Sequence, residues 1–284
     1  MLKMEDQKLK NKTTIFLILI FLLIVAFIGD IFTGNATISI KEAWSALFGS
    51  SGNVIVDEII RNYRLPKALT AVLAGAALSV SGLLMQTLFR NPLAGPDVLG
   101  VSAGAGLGVA LLTMFSGTAL YPFIQIMGNM GQVVAAIAGA TLVLLLILVV
   151  SSRIKDSITI LVLGMIFGYV ASSLITILQS FADPDSLKVF VTWTFGSLGD
   201  VTLDEMPILA TIVLSGILLT IILQKTLNSL LLGESYALSA GLNIKRARII
   251  IITIAAVITG SVTAFTPNLT IPGNPSAAPI SGAL

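Results

Sequence analysis

The stretch at residues 61–108, RNYRLPKALTAVLAGAALSVSGLLMQTLFRNPLAGPDVLGVSAGAGLG, holds two apolar runs joined by a proline-rich turn. At its left end Arg64 and Lys67 flank Pro66, which suits the first turn of a helix, where its missing N–H costs nothing. About twenty mainly apolar positions follow, enough to cross the hydrocarbon core of a bilayer. Arg90, Asn91 and Pro92 stop that helix, and Pro92 with Pro96 forces a tight non-helical connection. Asp97 then falls at the start of the next helix, where a carboxylate favours the positive end of the helix dipole.

Working outward, the same pattern recurs along the chain. Of 284 residues 56% are hydrophobic and only 11% charged, with a mean hydropathy of +1.00, outside the range of soluble domains. Seven segments are long and apolar enough to span, near 14–33, 67–89, 97–115, 128–151, 157–181, 205–224 and 249–265. The expected class is therefore an all-α polytopic membrane protein. The first segment is too long for a cleaved signal peptide and reads as an anchor.

Lysine and arginine set the orientation, since translocated loops are poor in them. With the N-terminus inside, the cytoplasmic segments hold Lys3, Lys8, Lys10, Lys12, Arg90, Arg153, Lys155, Lys225, Lys245, Arg246 and Arg248. The outer segments hold Lys41, Arg61, Arg64, Lys67 and Lys188.

Several function classes are excluded. With no cysteine and no histidine, thiolate chemistry, disulfides and histidine-based metal or acid/base sites are ruled out. A net charge of +2 gives no reason to expect nucleic acid as a partner. No phosphate-binding G-x-x-x-x-G-K-[ST] loop is present, so the chain has no ATPase site of that kind. Ionisable residues are nearly absent at membrane depth, Asp30 and Asp97 lying near segment ends. An ion-coupled transporter needs such groups, so the driving energy is expected from another subunit. No ring of charges and no TVGYG-type filter points to a channel. A stand-alone secondary transporter or channel is the alternative.

Small residues recur every fourth position: Gly100, Gly104 and Gly108; Gly131, Ala135 and Gly139; Gly164, Gly168 and Ser172. Such faces allow close helix approach. They fit either ordinary packing or the wall of a translocation path. The segment FADPDSLKVFVTWTFGSLGDVTLDE at 181–205 is too polar to cross and too long for a bare turn. It reads as an outer loop with Trp193 at the interface, either touching a partner or plugging the mouth.

The run RLPKALTAVLAGAALSVSGLLMQTLFRNPLAGPDVLGVSAGAGLG resembles the signature of the FecCD-type permeases, which import ferric siderophores, haem and vitamin B12. Three later stretches agree in order and spacing: ILVLGMIFGYVASSLITIL at 160–178, VTWTFGSLGDVT at 191–202 and LLLGESYALSAGLNIKRARII at 230–250. The motif positions are Asn91, Pro92, Leu93, Ala94, Pro96, Gly100 and Gly104. The resemblance implies a ten-helix importer permease fold, acting as a homodimer in the bacterial cell (inner) membrane. It also implies a cytoplasmic ATP-binding-cassette subunit that hydrolyses the ATP, and an extracytoplasmic substrate-binding protein. No cofactor is implied. By the resemblance, Arg64 and Lys67 would dock the binding protein, and Lys67 departs from the family's arginine. The loop holding Gly233, Glu234, Ala237, Gly241 and Arg246 would receive the push of the ATPase. There Gly233 caps a short helix, Glu234 begins it and Gly241 ends it in the left-handed conformation.

After Phe265 the family continues through a Pro-His motif to ten spans, whereas this sequence reads TPNLTIPGNPSAAPISGAL, with four prolines and no charge. The expectation is a permease domain over 1–265 with about seven spans and a disordered tail over 266–284. A non-functional permease, truncated at its C-terminus, is a further alternative.

Overall fold

The structure, a computed structural model, describes residues 2–34, 36–114, 129–151, 153–154 and 156–266. Among these the fold is helical throughout. Helix α1 runs over Leu2–Phe32, α2 over Ile40–Phe48 and α3 over Val54–Glu58. A π-helical segment, Ile59–Arg64, leads directly into α4, Leu65–Phe89. A 3₁₀ turn at Pro96–Leu99 precedes α5, Val101–Met114. The remaining helices are α6 (Asn129–Ser151), α7 (Ser157–Phe181), α8 (Pro184–Phe195), α9 (Met206–Ile222), α10 (Gln224–Leu232), α11 (Glu234–Ser239) and α12 (Ile244–Phe265).

Each of the seven expected spans coincides with a helix. Five are long and apolar enough to cross a membrane, and α9 with α10, bent by 57°, makes a sixth if taken as one broken span. The seventh rests on α5, whose 14 described residues rise only about 21 Å against a hydrocarbon core of about 30 Å. The expected tail lies, from residue 267 onward, outside the described residues.

Two boundaries differ from the sequence reading. The second span does not begin at Pro66: helical backbone is continuous over Val54–Phe89, 36 residues or about 54 Å. Pro66 is accommodated by the π-segment just before it, where the Leu65 N–H reaches back to the Ile60 carbonyl, one residue further than in an α-helix. The third helix begins at Val101 rather than at Asp97, because Gly100 takes φ +68 and ends the 3₁₀ turn.

The small-residue faces build the centre of the bundle. A methyl at Gly100 would lie 2.8 Å from both the Gly164 carbonyl oxygen and the Gly168 nitrogen. A Cβ at Gly108 would collide with the Ala135 carbonyl oxygen, and one at Gly139 with that of Gly104. Backbone therefore lies directly on backbone between α5 and α6 and between Gly100 and α7. Of the two readings of these faces, tight packing is the one observed. Against this slab pack α4 and α12, the latter buried on nearly every side through Ile251, Ile252, Ala255, Ile258 and Val262. A buried hydroxyl pair, Ser81 with Thr259 at 2.6 Å, joins α4 to α12.

Helix α1 behaves differently. Its apolar side chains from Ile15 to Val25 are exposed, as expected of a peripheral anchor surrounded by lipid. An entirely apolar crevice of about 440 Å³ separates it from α4 and α9, lined by Leu23, Phe27, Val72 and Met206 among others.

Packing of this kind has a direct test. Gly108→Ala should destabilise the detergent-solubilised protein by about 1–3 kcal/mol through overpacking. Gly75→Ala, where nothing lies within 4 Å of the added carbon, should leave the melting temperature unchanged or raised. Equal melting temperatures for the two variants would contradict the interlocked backbones.

Candidate functional site

At the end of the bundle where α1 stops and α4 begins, the two expected docking residues have different placements. Arg64 is buried, 8% exposed, with its guanidinium turned back into the chain. Its Nη1 donates to the Ile31 carbonyl at 3.0 Å and its Nη2 to the Ala36 carbonyl at 2.8 Å, so it closes the end of α1. Gly34 makes room for it, since a methyl there would lie 2.7 Å from Nη2. In this geometry both terminal nitrogens of Arg64 are engaged by backbone carbonyls of the same chain. Lys67 remains half exposed and pairs with Asp30 at 3.0 Å. Sequence reasoning placed Asp30 near a span end but gave it no partner, because the pair joins residues 37 positions apart.

A cavity of about 530 Å³ lies between α6, α8 and the ends of α9 and α12. Its polar lining includes Gln132, Asp185, Lys188, Asp200 and Glu205, with Trp193 on its wall. The segment expected as an outer loop is thus partly helical. Asp183 caps α8 by accepting the Asp185 and Ser186 N–H groups, Pro184 fills the first turn, and Gly196 at φ +57 ends the helix. Phe190 is buried and stacks on Trp193 with ring centroids 6.2 Å apart, which fixes the indole against the bundle. Burial lifts the Asp200 carboxyl above its ordinary value; a hydrogen bond from Ser197 opposes the lift and the Glu205 charge adds to it.

At the opposite end, Arg90 ends α4 in the left-handed conformation, φ +47, and its Nε donates to the Leu230 carbonyl at 3.1 Å. The side chain of Asn91 accepts the Leu93 N–H at 2.9 Å, and the Asn91 carbonyl accepts the Ala94 N–H at 3.0 Å. Gln86 donates to the Pro92 carbonyl. This tight turn leaves Leu93 88% exposed while burying Ala94. Pro96 then starts the 3₁₀ turn, and Gly100 and Gly104 lie in the central backbone contacts described above. Asn91 to Gly104 therefore form one folded unit joining this end of the bundle to the core.

The loop 233–246 has the geometry expected of it. Gly233, φ +127, separates α10 from α11; Glu234 begins α11; Gly241, φ +80, ends it. The Leu242 N–H returns to the Ala237 carbonyl and the Gly241 N–H to Leu238, closing α11 with a left-handed cap. Asn243 then caps α12 through the Arg246 N–H at 3.0 Å. Ala237 is the buried foot of α11, while Tyr236 and Leu238 are 53% and 61% exposed and Arg246 is exposed. Arg248 is the residue the sequence reading counted only as a charge. It is 4% exposed and reaches Glu234 at 3.4 Å, the Ser157 hydroxyl at 3.0 Å and the Ile154 carbonyl at 3.0 Å. It therefore ties α11, the start of α7 and α12 into one knot. Beside it Asp156 caps α7; the hydroxyl and N–H of Thr159 hold its carboxyl below the usual range.

Arg64→Ala should leave two carbonyls without partners and lower stability by about 1–3 kcal/mol. Lys67→Ala removes only a surface ion pair and should change stability by less than about 1 kcal/mol. Denaturation of the two variants in matched detergent decides this, and a reversed order would show that Arg64 does not anchor α1.

Residues 22–270 match the FecCD transport family. The haemin transport system permease HmuU of Yersinia pestis is 30% identical over 247 residues, 87% of this chain and 72% of that one. The vitamin B12 import system permease BtuC of Shigella boydii serotype 18 is 32% identical over 243 residues, 85% of this chain and 69% of that one. Among solved structures, an inward-facing ABC transporter of metal-chelate type matches with a TM-score of 0.74 at 25% identity. That match covers 89% of this chain and 76% of the other. Taken with an all-helical, multi-pass bundle whose centre is built on the glycines of its longest motif, these matches show that the chain belongs to the FecCD transport family, a family of membrane transport permeases.

Proposed function

We propose that this chain is the permease subunit of an ATP-driven importer of metal chelates, a ferric siderophore, haem or cobalamin, acting as a homodimer in the bacterial cell membrane with its N-terminus in the cytoplasm. The observation that carries this reading is α11. It is a single short helix set between two glycines of positive φ, with an exposed apolar outer face at Tyr236 and Leu238. Its foot is bound through Glu234 and Arg248 to the ends of α7 and α12. A helix so mounted moves as a unit and carries a push into two long helices. That is the mechanical part a separate ATPase subunit needs, and it agrees with the scarcity of ionisable groups in the spans.

At the outer rim, Lys67 presents its charge to the acidic surface of a substrate-binding protein, and Arg64 supports that rim from behind by holding α1. The cavity beside Trp193 lies where a released substrate would enter. Hydrolysis of ATP belongs to the partner subunit.

Two measurements test the assignment. Gly241→Val forces a β-branched residue into φ +80 and should uncouple transport, lowering ATP-driven uptake at least about tenfold while the permease and its ATPase still co-purify. Uptake equal to the parent would show the loop to be passive. In proteoliposomes reconstituted with an ATP-binding-cassette subunit that co-purifies with it and a substrate-binding protein, one of labelled ferric siderophore, haem or cobalamin should enter only with ATP on the side of the ATPase subunit. Entry driven by a proton or sodium gradient without ATP would favour a secondary transporter instead.

A further inference from the structure

Helix α2 has more apolar surface than the chain covers. One face, Ala43 and Ala46, is buried in a small core of its own with Val56 and Ile60, separate from the main core. A second face carries Ile40, Trp44 and Phe48, spaced four residues apart and therefore aligned along the helix. These are 72%, 57% and 76% exposed, and the two rings touch with centroids 4.9 Å apart. Val54 and Ile55 at the start of α3 are 79% and 70% exposed. The third face is polar, with Glu42 and Ser45 on it and Lys41 at its edge beside the stripe, in line with Phe48 two turns on; Ser39 and Glu42 form a reciprocal cap.

The position of this hairpin decides what meets the apolar stripe. Arg61 donates to the Ala46 and Gly49 carbonyls and so binds the C-terminal half of α2 to the π-segment. Arg61 lies about one turn, roughly 4.5 Å, outward of Arg64, and about 9 Å outward of Lys67. Lys67 and Asp30, with the end of α1, mark where the apolar surface of α1 gives way to charge. The hairpin thus stands at the height of the outer headgroup zone, which is several ångströms thick on each side of the hydrocarbon core. Laterally its neighbours are α1, α3 and the π-segment rather than α5, α6 or α8, so it lies beside the most lipid-exposed helix. Its aim is fixed: Ser50 and Ser51 bond to Asp57 at 2.8 and 2.9 Å and close the connection between α2 and α3.

We propose that the α2–α3 hairpin is an interfacial element that lies in the outer leaflet, with Ile40, Trp44 and Phe48 sunk among the lipid chains near the headgroups, Glu42 turned to water and Lys41, at the edge of the stripe, reaching up to the headgroups. Tryptophan favours this zone, having an apolar body and one polar N–H, and an amphipathic helix lies flat in it. The polar and buried faces on either side of the stripe leave it one direction to point, outward into lipid. A hairpin so seated sets the height of the outer end of α4 and hence of Lys67.

The chain has no cysteine, so single cysteines at positions 42, 44 and 48 can each carry a spin label in the otherwise unaltered protein. In liposomes of phosphatidylethanolamine and phosphatidylglycerol, labels at 44 and 48 should show a ratio of oxygen to nickel-chelate accessibility at least about threefold that at 42, reflecting partition of oxygen into the apolar phase. As a second reading, Trp44 in a Trp193→Phe background should be quenched by lipids brominated high on the acyl chain more than by iodide. Equal water-side accessibility at 42, 44 and 48 overturns the proposal. So does shielding at 44 and 48 that appears only when a substrate-binding protein is added, or only at protein densities where two copies meet.

Discussion

Backbone laid on backbone between α5, α6 and Gly100 with α7 is the contact on which the rest of the structure depends. In lipid no hydrophobic gain accrues from bringing two apolar helices together, because the chains around them are equally apolar. What remains is dispersion between closely matched surfaces, and that requires the side chains to be out of the way. Gly104, Gly108 and Gly139 remove them on both sides of one contact, and Gly100, Gly164 and Gly168 do so on the next. The slab so formed gives α4 and α12 a surface to pack on. Both ends of the molecule are built at the ends of those helices.

At those ends the guanidinium groups solve a shared problem. A helix that stops near the membrane surface leaves carbonyls without donors. Arg64 supplies them for α1, Arg90 for α10, and Arg248 for the turn before α7. The fork-shaped cation reaches two acceptors at once and stays charged. These basic residues therefore satisfy backbone as well as orient the chain, and their burial explains why a charge count alone did not separate docking groups from anchors.

Local features were the most legible. The capping Gly233 and the left-handed Gly241, the proline-set turn after Arg90 and the small-residue periodicity all follow from rules that act within one turn of helix, and the structure has them in place. Long-range partners were not legible: Arg64 with Ile31, Lys67 with Asp30 and Arg248 with Ser157 link positions far apart in sequence. Nor could spacing alone show that Pro66 sits within a continuous helix. A π-segment compensates for the missing donor, and nothing in IIRNYR advertises it. The apolar stripe of α2 was hidden for a different reason. Nine residues are too few to stand out in a chain where more than half the residues are hydrophobic.

The continuity of α4 has a mechanical consequence. Its outer end is bound to α1 through Arg64 and Lys67, and its inner end to α10 through Arg90, with 25 residues of unbroken helix between. Such a rod is a first-class lever. If it tilts by about 5° about its middle, its ends swing about 1.6 Å in opposite directions, given a length of about 37 Å. The rim at Lys67 and the turn at Asn91 are then two ends of one beam, held against α12 by the Ser81–Thr259 hydroxyl pair about 6 Å past its midpoint.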